Sequence, residues 1–276
     1  GTRFFYANPL EVDPVAHDHR RDLYGGAIQA ERQDWFGCAC CPPNVARLLA
    51  SLGEYAYSQN DEEVYVHLYV GGSANLALVG QKLALTQETR YPWDGRIEIT
   101  LQPAAEMAFT LALRVPGWCR QASLQVNGER VEWNLYKGYA RLTRTWQPGD
   151  KVTLELAMPV ERVAAHPAIR ANAGRVALQR GPLVYCLEQA DNGANLPAIC
   201  LPREASLQAT YEPELLGGVV TITGEARRQT AAGWEGALYQ PRPADAAMEP
   251  VQIKAIPYYA WANRGRGEML VWLREC

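Results

Sequence analysis

No run of apolar residues in this chain of 276 approaches the roughly 20 needed to cross a bilayer as a helix. Charge of one sign is lacking too: 27 Lys and Arg stand against 30 Asp and Glu, a net −3. That balance gives no electrostatic footing for nucleic acid or an anionic membrane. The opening residues, Gly1-Thr2-Arg3-Phe4-Phe5-Tyr6, include no initiator Met and no apolar core or cleavage site of a signal peptide. They begin abruptly in aromatic sequence, as an internal segment would, and a cytoplasmic location is expected. The seven cysteines are odd in number, and Cys119, Cys186, Cys200 and Cys276 are scattered. An even, regularly spaced disulfide framework is therefore excluded, and free thiols in a reducing compartment are expected. The four scattered cysteines read as small buried hydrophobes. Also missing are a Gly-x-Ser-x-Gly elbow, a His-Glu-x-x-His zinc motif and a second Cys-x-x-Cys. Gly71-Gly72-Ser73 and Gly217-Gly218 lack the strand, lysine and helix that make a phosphate loop. No internal repeat or low-complexity segment is visible.

What is present is enough chain for two modest domains, with 48% hydrophobic and 21% charged residues, the composition of a globular protein with a core. Residues 1–43 read as irregular, broken by Asp13-Pro14, Gly25-Gly26 and Gly37. Val45, Leu48, Leu49, Leu52 and Ala56 recur with helical spacing and predict an amphipathic helix over 44–58. Pro43 suits its first turn, and Gly53 weakens its middle. After Asn60-Asp61 the period falls to two. Val64–Val70, Ile97–Leu101, Phe109–Val115 and Val152–Met158 predict strands, with Asn127-Gly128 and Pro148-Gly149-Asp150 as turns. Further strands are expected at Leu183–Leu187, Val219–Thr223, Val251–Ile256 and Met269–Leu273, with a long loop over 190–215 and irregular chain over 227–250. The expected architecture is mainly β: a helical remnant over 1–60, a β-sandwich over 61–165 and a second β-rich sandwich unit over 166–276.

Chemistry concentrates in Cys38-Ala39-Cys40-Cys41-Pro42-Pro43-Asn44. Thiolates this close together bind a soft metal or act as nucleophiles. The start of a helix suits them, because the dipole places about half a positive charge there and first-turn N–H groups lack helical partners. Adjacent cysteines seldom bond to each other, since their side chains diverge, yet they can occupy two positions on one metal ion. By spacing alone, a complete metal site, purely structural thiols and a half-site completed from elsewhere all remain open. His17-Asp18-His19 lies in a charged stretch and reads as solvated loop; His67 reads as packed or surface, and His166, before Pro167, as a turn residue. Trp93, Trp118, Trp133, Trp146, Trp234, Trp261 and Trp272 could stack on sugars, although in sandwiches such rings more often fill the core.

Several stretches together resemble the C-terminal part of glycoside hydrolase family 127, the β-L-arabinofuranosidase-type family. They are Phe5-Tyr6-Ala7-Asn8-Pro9-Leu10-Glu11, Trp35-Phe36-Gly37-Cys38-Ala39-Cys40-Cys41-Pro42-Pro43-Asn44, Tyr91-Pro92-Trp93-Asp94-Gly95, Leu113-Arg114-Val115-Pro116-Gly117-Trp118, Gln179-Arg180-Gly181-Pro182-Leu183-Val184-Tyr185 and Tyr258-Tyr259-Ala260-Trp261-Ala262-Asn263-Arg264-Gly265. The resemblance implies an (α/α)6-barrel catalytic domain followed by jelly-roll-like β-sandwiches, and a retaining hydrolase of L-arabinofuranosides or related glycosides. It further implies that Cys40 is a zinc-bound nucleophile and Cys41 a second zinc ligand, while Cys38 acquires no role. Tyr6 is a candidate to line the sugar subsite. The family's Glu-x-Cys ligand pair and general-acid glutamate lie earlier in the chain, and no Glu-x-Cys occurs here. The sequence therefore reads as the C-terminal portion of such an enzyme, inactive and without retained zinc on its own. A missing N-terminal barrel or a homodimer partner is expected to cover the helix stripe.

Overall fold

The structure is a computed structural model and describes residues 2–19, 30–37, 40–78, 80–234, 236–241 and 248–276, with side chains of 17–19 left aside. The chain is mainly β and divides into two compact units: residues 1–38 together with 160–276, and residues 39–159.

In the unit formed by 39–159, two antiparallel-rich sheets share one apolar cluster. The first carries strands Tyr57–Gln59, Glu63–Val66, Met107–Arg114, Asn134–Tyr136 and Tyr139–Trp146; the second is six-stranded and includes Gln81–Thr89, Arg96–Pro103, Ala122–Val126 and Lys151–Leu156. Val64, Val66, Leu111 and Leu113 from the first meet Leu85, Ile97, Ile99, Leu101 and Val152 from the second, all buried. The period-two alternation thus did what the pleat requires: every second residue enters the core. Asn127-Gly128 closes a two-residue hairpin, both residues with positive φ. Pro148-Gly149-Asp150 is no hairpin turn, because the strands on either side of it lie in different sheets. The strand expected over 64–70 ends at Val66; Tyr69 turns inward and donates from its hydroxyl to the Arg114 carbonyl (2.6 Å), leaving Val70 exposed.

The motif Tyr91–Gly95 is a turn built by its own polar groups. Trp93 N–H donates to Arg90 O (2.8 Å), and Arg96 N–H donates to Asp94 Oδ1 (3.0 Å). A Cβ on Gly95 would lie 1.8 Å from the Leu156 carbonyl oxygen, so only glycine permits this approach.

The other unit holds a ten-stranded sheet whose path runs from Glu11–Val12 through Met269–Leu270, Leu183–Glu188, Met248–Pro257, Val219–Gln229 and Ile199–Leu201 toward Arg175–Arg180 and Val160–Ala164. Successive residues enter different clusters: Tyr185 and Leu187 one, Cys186 the other; Leu270 one, Met269 and Val271 the other. Both faces of the sheet centre are buried, which is why Tyr185–Leu187 reads as a continuous apolar run, while Val184 before it is exposed. The loop expected over 190–215 contains a helical turn, Gln189–Asn192, and strands Ile199–Leu201 and Leu207–Glu212. The irregular stretch expected over 227–250 is strand as far as Gln229 and from Met248 onward; 242–247 lie outside the described residues.

Residues 1–43 are not wholly irregular either. Glu11–Val12 joins the sheet beside Leu270 and Met269, Pro14–His19 is helical, and Phe4 pairs with Gln33 through two 2.9 Å backbone bonds. Phe5 stacks on Trp261 at 4.1 Å, with the Arg32 guanidinium 5.1 Å from its ring, and Tyr258 Oη donates to Pro9 O (2.7 Å). Two stretches almost 250 residues apart in sequence, both among those that carry the resemblance, are one packed seam.

The expectation of free, scattered thiols is corrected in part. Cys200 and Cys276 form a disulfide with Cα atoms 6.0 Å apart. Parallel pairing of Cys200 with Arg274 and of Leu201 with Glu275 carries the last residue to that position. Cys186 is the buried hydrophobe expected, its thiol pKa driven well up by burial. Cys119 is half-buried against the core.

Candidate active site

The helix after the cysteine run is Cys41–Ser51, continued by a tighter turn over Leu52–Tyr55. It starts three residues earlier than the apolar stripe predicts and loses α geometry before Gly53, the residue least able to hold it. Cys40 occupies the cap position. Pro42 and Pro43 fill the first turn but carry no N–H. They remove two of the donors that a helix start would offer an anion, so the dipole is the larger electrostatic asset here.

Asn44 reaches back across the first turn to the cap residue. Its Nδ2 donates to the Cys40 carbonyl at 2.7 Å, and the Arg47 guanidinium donates to Asn44 Oδ1. That lock fixes the backbone of Cys40 across one turn. Sequence reasoning quoted Asn44 in the motif and gave it no role; its place four residues after the cap was the available sign.

Cys40 and Cys41 place their sulfurs 3.5 Å apart, Cys40 exposed and Cys41 half-buried. Two thiolates on one tetrahedral zinc, each at about 2.3 Å, stand about 3.8 Å apart. The pair therefore fits two adjacent corners of a zinc shell. Among the described residues no group of three or more His, Cys, Asp or Glu could hold a metal, so the described residues offer at most these two thiols as neighbouring ligands. Cys38 lies outside the described residues.

The structure does not gather the other candidates around a common point within either unit. Tyr6 packs with its ring tilted against Phe36 (5.0 Å) and near Phe4 (6.5 Å), half-buried in the unit that contains residues 1–38. His67 lies between Ser58 Oγ and Tyr139 Oη, 2.7 Å from each, and burial lowers its pKa. His166 accepts the Ala168 N–H in a turn. The backbone of His17 and His19 is helical, and their side chains lie outside the description. Trp146 is buried and donates to the Phe109 carbonyl, and Trp261 is stacked on Phe5. Sequence reasoning also missed Glu188, a buried carboxylate that accepts from Ala262 N–H (2.6 Å) and pairs with Arg264.

Comparison with known proteins gives this combination a class, that of the glycoside hydrolases. Three domain profiles match in chain order: "Beta-L-arabinofuranosidase, GH127 catalytic domain" over residues 1–54, the GH127 middle domain over 63–158 and the "Glycoside hydrolase family 127 C-terminal domain" over 160–274. The chain belongs to glycoside hydrolase family 127. It is 37% identical, over its whole length, to the non-reducing end β-L-arabinofuranosidase of Bifidobacterium longum subsp. longum, of which it covers 42%. It also matches a crystal structure of Ara127N-Se, a GH127 β-L-arabinofuranosidase from Geobacillus stearothermophilus T6, at 52% identity and a TM-score of 0.93. All of this chain and 43% of that one are covered. A GH127 β-arabinofuranosidase designated BT3674 matches at 36% identity and a TM-score of 0.85, again with all of this chain and 42% of that one. The chain thus spans less than half the length of these relatives.

Proposed function

We propose that this chain is the C-terminal portion of a retaining β-L-arabinofuranosidase in which Cys40 is the nucleophile and, with Cys41, a ligand of a catalytic zinc ion. The observation that carries the proposal is the pair of sulfurs 3.5 Å apart at a helix start, inside the stretch matched by the family's catalytic-domain profile. Zinc bound there would keep both thiols ionised at neutral pH.

The chain's own residues supply the rest of the half-site. The helix dipole favours negative charge at Cys40. Asn44 and Arg47 hold the Cys40 backbone, and the exposure of Cys40 leaves its sulfur open to a sugar. In the proposed step, Cys40 Sγ forms a bond to the anomeric carbon as the bond to the leaving oxygen breaks. That oxygen takes a proton from a carboxylic acid contributed by a part of the enzyme outside this chain. Water then cleaves the S–C bond, and two inversions give net retention. The L-arabinofuranoside substrate rests on the relatives' names.

In this reading residues 1–60 come from the (α/α)6-barrel domain, with 1–38 in one compact unit with 160–276, and 61–165 and 166–276 are jelly-roll-like β-sandwiches. The single core shared by two sheets supports the first sandwich. The exposed stripe Val45, Leu48, Leu49 and Leu52 is covered by the rest of the barrel, or by a second copy in a homodimer. Alone, the chain is expected to be inactive, because two thiolates hold zinc weakly and the family resemblance places the general acid earlier in the enzyme. The second reading is a non-catalytic module that stabilises the barrel or binds carbohydrate. Replacement of Cys40 by Ser in the complete enzyme separates the two. Loss of turnover and of bound zinc by elemental analysis is expected; unchanged turnover contradicts the proposal.

A further inference from the structure

The unit formed by 39–159 contains a cavity of about 590 Å³ that involves neither cysteine. It lies where the edge strand Asn134–Tyr136 stops short. The neighbouring strand Tyr139–Trp146 is paired on that side only from Tyr139 to Arg141. Beyond Arg141 its edge is open among the described strands, and Thr143 and Arg144 line the gap. From the other side come Glu132, Trp133 and Asn134.

Three of these side chains are uncommitted. Glu132, Asn134 and Arg144 make no side-chain hydrogen bond or ion pair to any described residue, the Arg144 guanidinium lying over the Trp146 ring at 5.3 Å. Trp133 is half-buried, its indole packed against the core edge. An indole with a carboxylate, an amide and a guanidinium in one cavity of this size meets the two needs of a sugar ring. The aromatic surface covers its C–H face, and paired donors and acceptors reach its vicinal hydroxyls. Glu132 offsets Arg144, and the other cation of the lining, Arg141, is paired with Glu63, so the cavity favours a neutral polyol over an anion or a cation.

We propose that this cavity is a non-catalytic carbohydrate site that holds a neutral furanose or pyranose unit of a glycan. The proposal goes beyond the cysteine reading and does not depend on it, because its readout is binding. The test is calorimetric titration of the 276-residue chain with a β-L-arabinofuranosyl disaccharide. Saturable binding on the order of millimolar is expected. The exposed pair Glu132→Ala and Asn134→Ala, made together, should weaken it about tenfold with unchanged circular dichroism. Trp133→Phe keeps the core packing and should weaken it less than the double variant. Absence of saturable binding overturns the proposal. So does binding that the double variant leaves intact, or binding that Cys40→Ala abolishes.

Discussion

Two stretches of the N-terminal fifth of the chain behave in opposite ways. The first, residues 2–16, has little periodicity and yet is packed: Phe5 on Trp261, Val12 in the sheet, Pro9 held by Tyr258. The second, Cys41–Ser51, has the clearest amphipathic pattern in the sequence and buries nothing. Leu49 is 65% exposed and Val45 56%. The difference lies in where the partner is encoded. The aromatic stretch finds its partner in this chain, at the C-terminal motif Tyr258–Gly265. The helix carries an apolar face whose complement is not among the described residues, and contiguous bare apolar surface of this kind marks an interaction site.

Substitutions on the two sides sharpen that contrast. Trp261→Ala removes the ring beneath Phe5 and should cost about 3–5 kcal/mol, read by chemical denaturation together with faster hydrogen exchange in residues 2–12. A loss below about 1 kcal/mol would mean that the seam is not structural. Glu188→Ala leaves the Arg264 guanidinium with Asp191 alone and strips the Ala262 N–H of its acceptor. It should cost about 3 kcal/mol in the same assay. Cys276→Ser opens the link to Cys200 and should cost about 2 kcal/mol; non-reducing mass spectrometry of the parent chain reads the bond directly. Leu49→Ala should be nearly silent here, within about 0.5 kcal/mol, but should cost about 2 kcal/mol or more in the complete enzyme if the helix is covered there. Equal effects in both would erase the distinction between the two stretches.

The same contrast explains what could be read from sequence. Strict alternation at Ile97–Leu101 marks a strand because one face is core, while Phe109–Leu113 is buried on both faces and alternates in side-chain size. Tyr185–Leu187 escapes that rule because both of its faces are buried. Ile199–Leu201 is a strand because Val219–Gln229 lies on one side of it and Leu273–Glu275 on the other, the second a partner more than seventy residues away that no local pattern announces. Its register also joins two cysteines whose sequence spacing suggested nothing. At the candidate site the thiol run was legible as chemistry, since few settings place cysteines so close. The Asn44 lock was not, because an Asn in a first turn is ordinary until its amide is seen to reach the Cys40 carbonyl.

The most direct test of the cysteine as nucleophile is to trap it. The complete enzyme, treated with an arabinofuranosyl-type inactivator that forms a stable glycosyl adduct, can be digested and mapped by mass spectrometry. A glycosyl mass on Cys40, absent after Cys40→Ser, is the result the account predicts. A fully inactivated enzyme with the label on a carboxylate, and Cys40 unmodified, would contradict it.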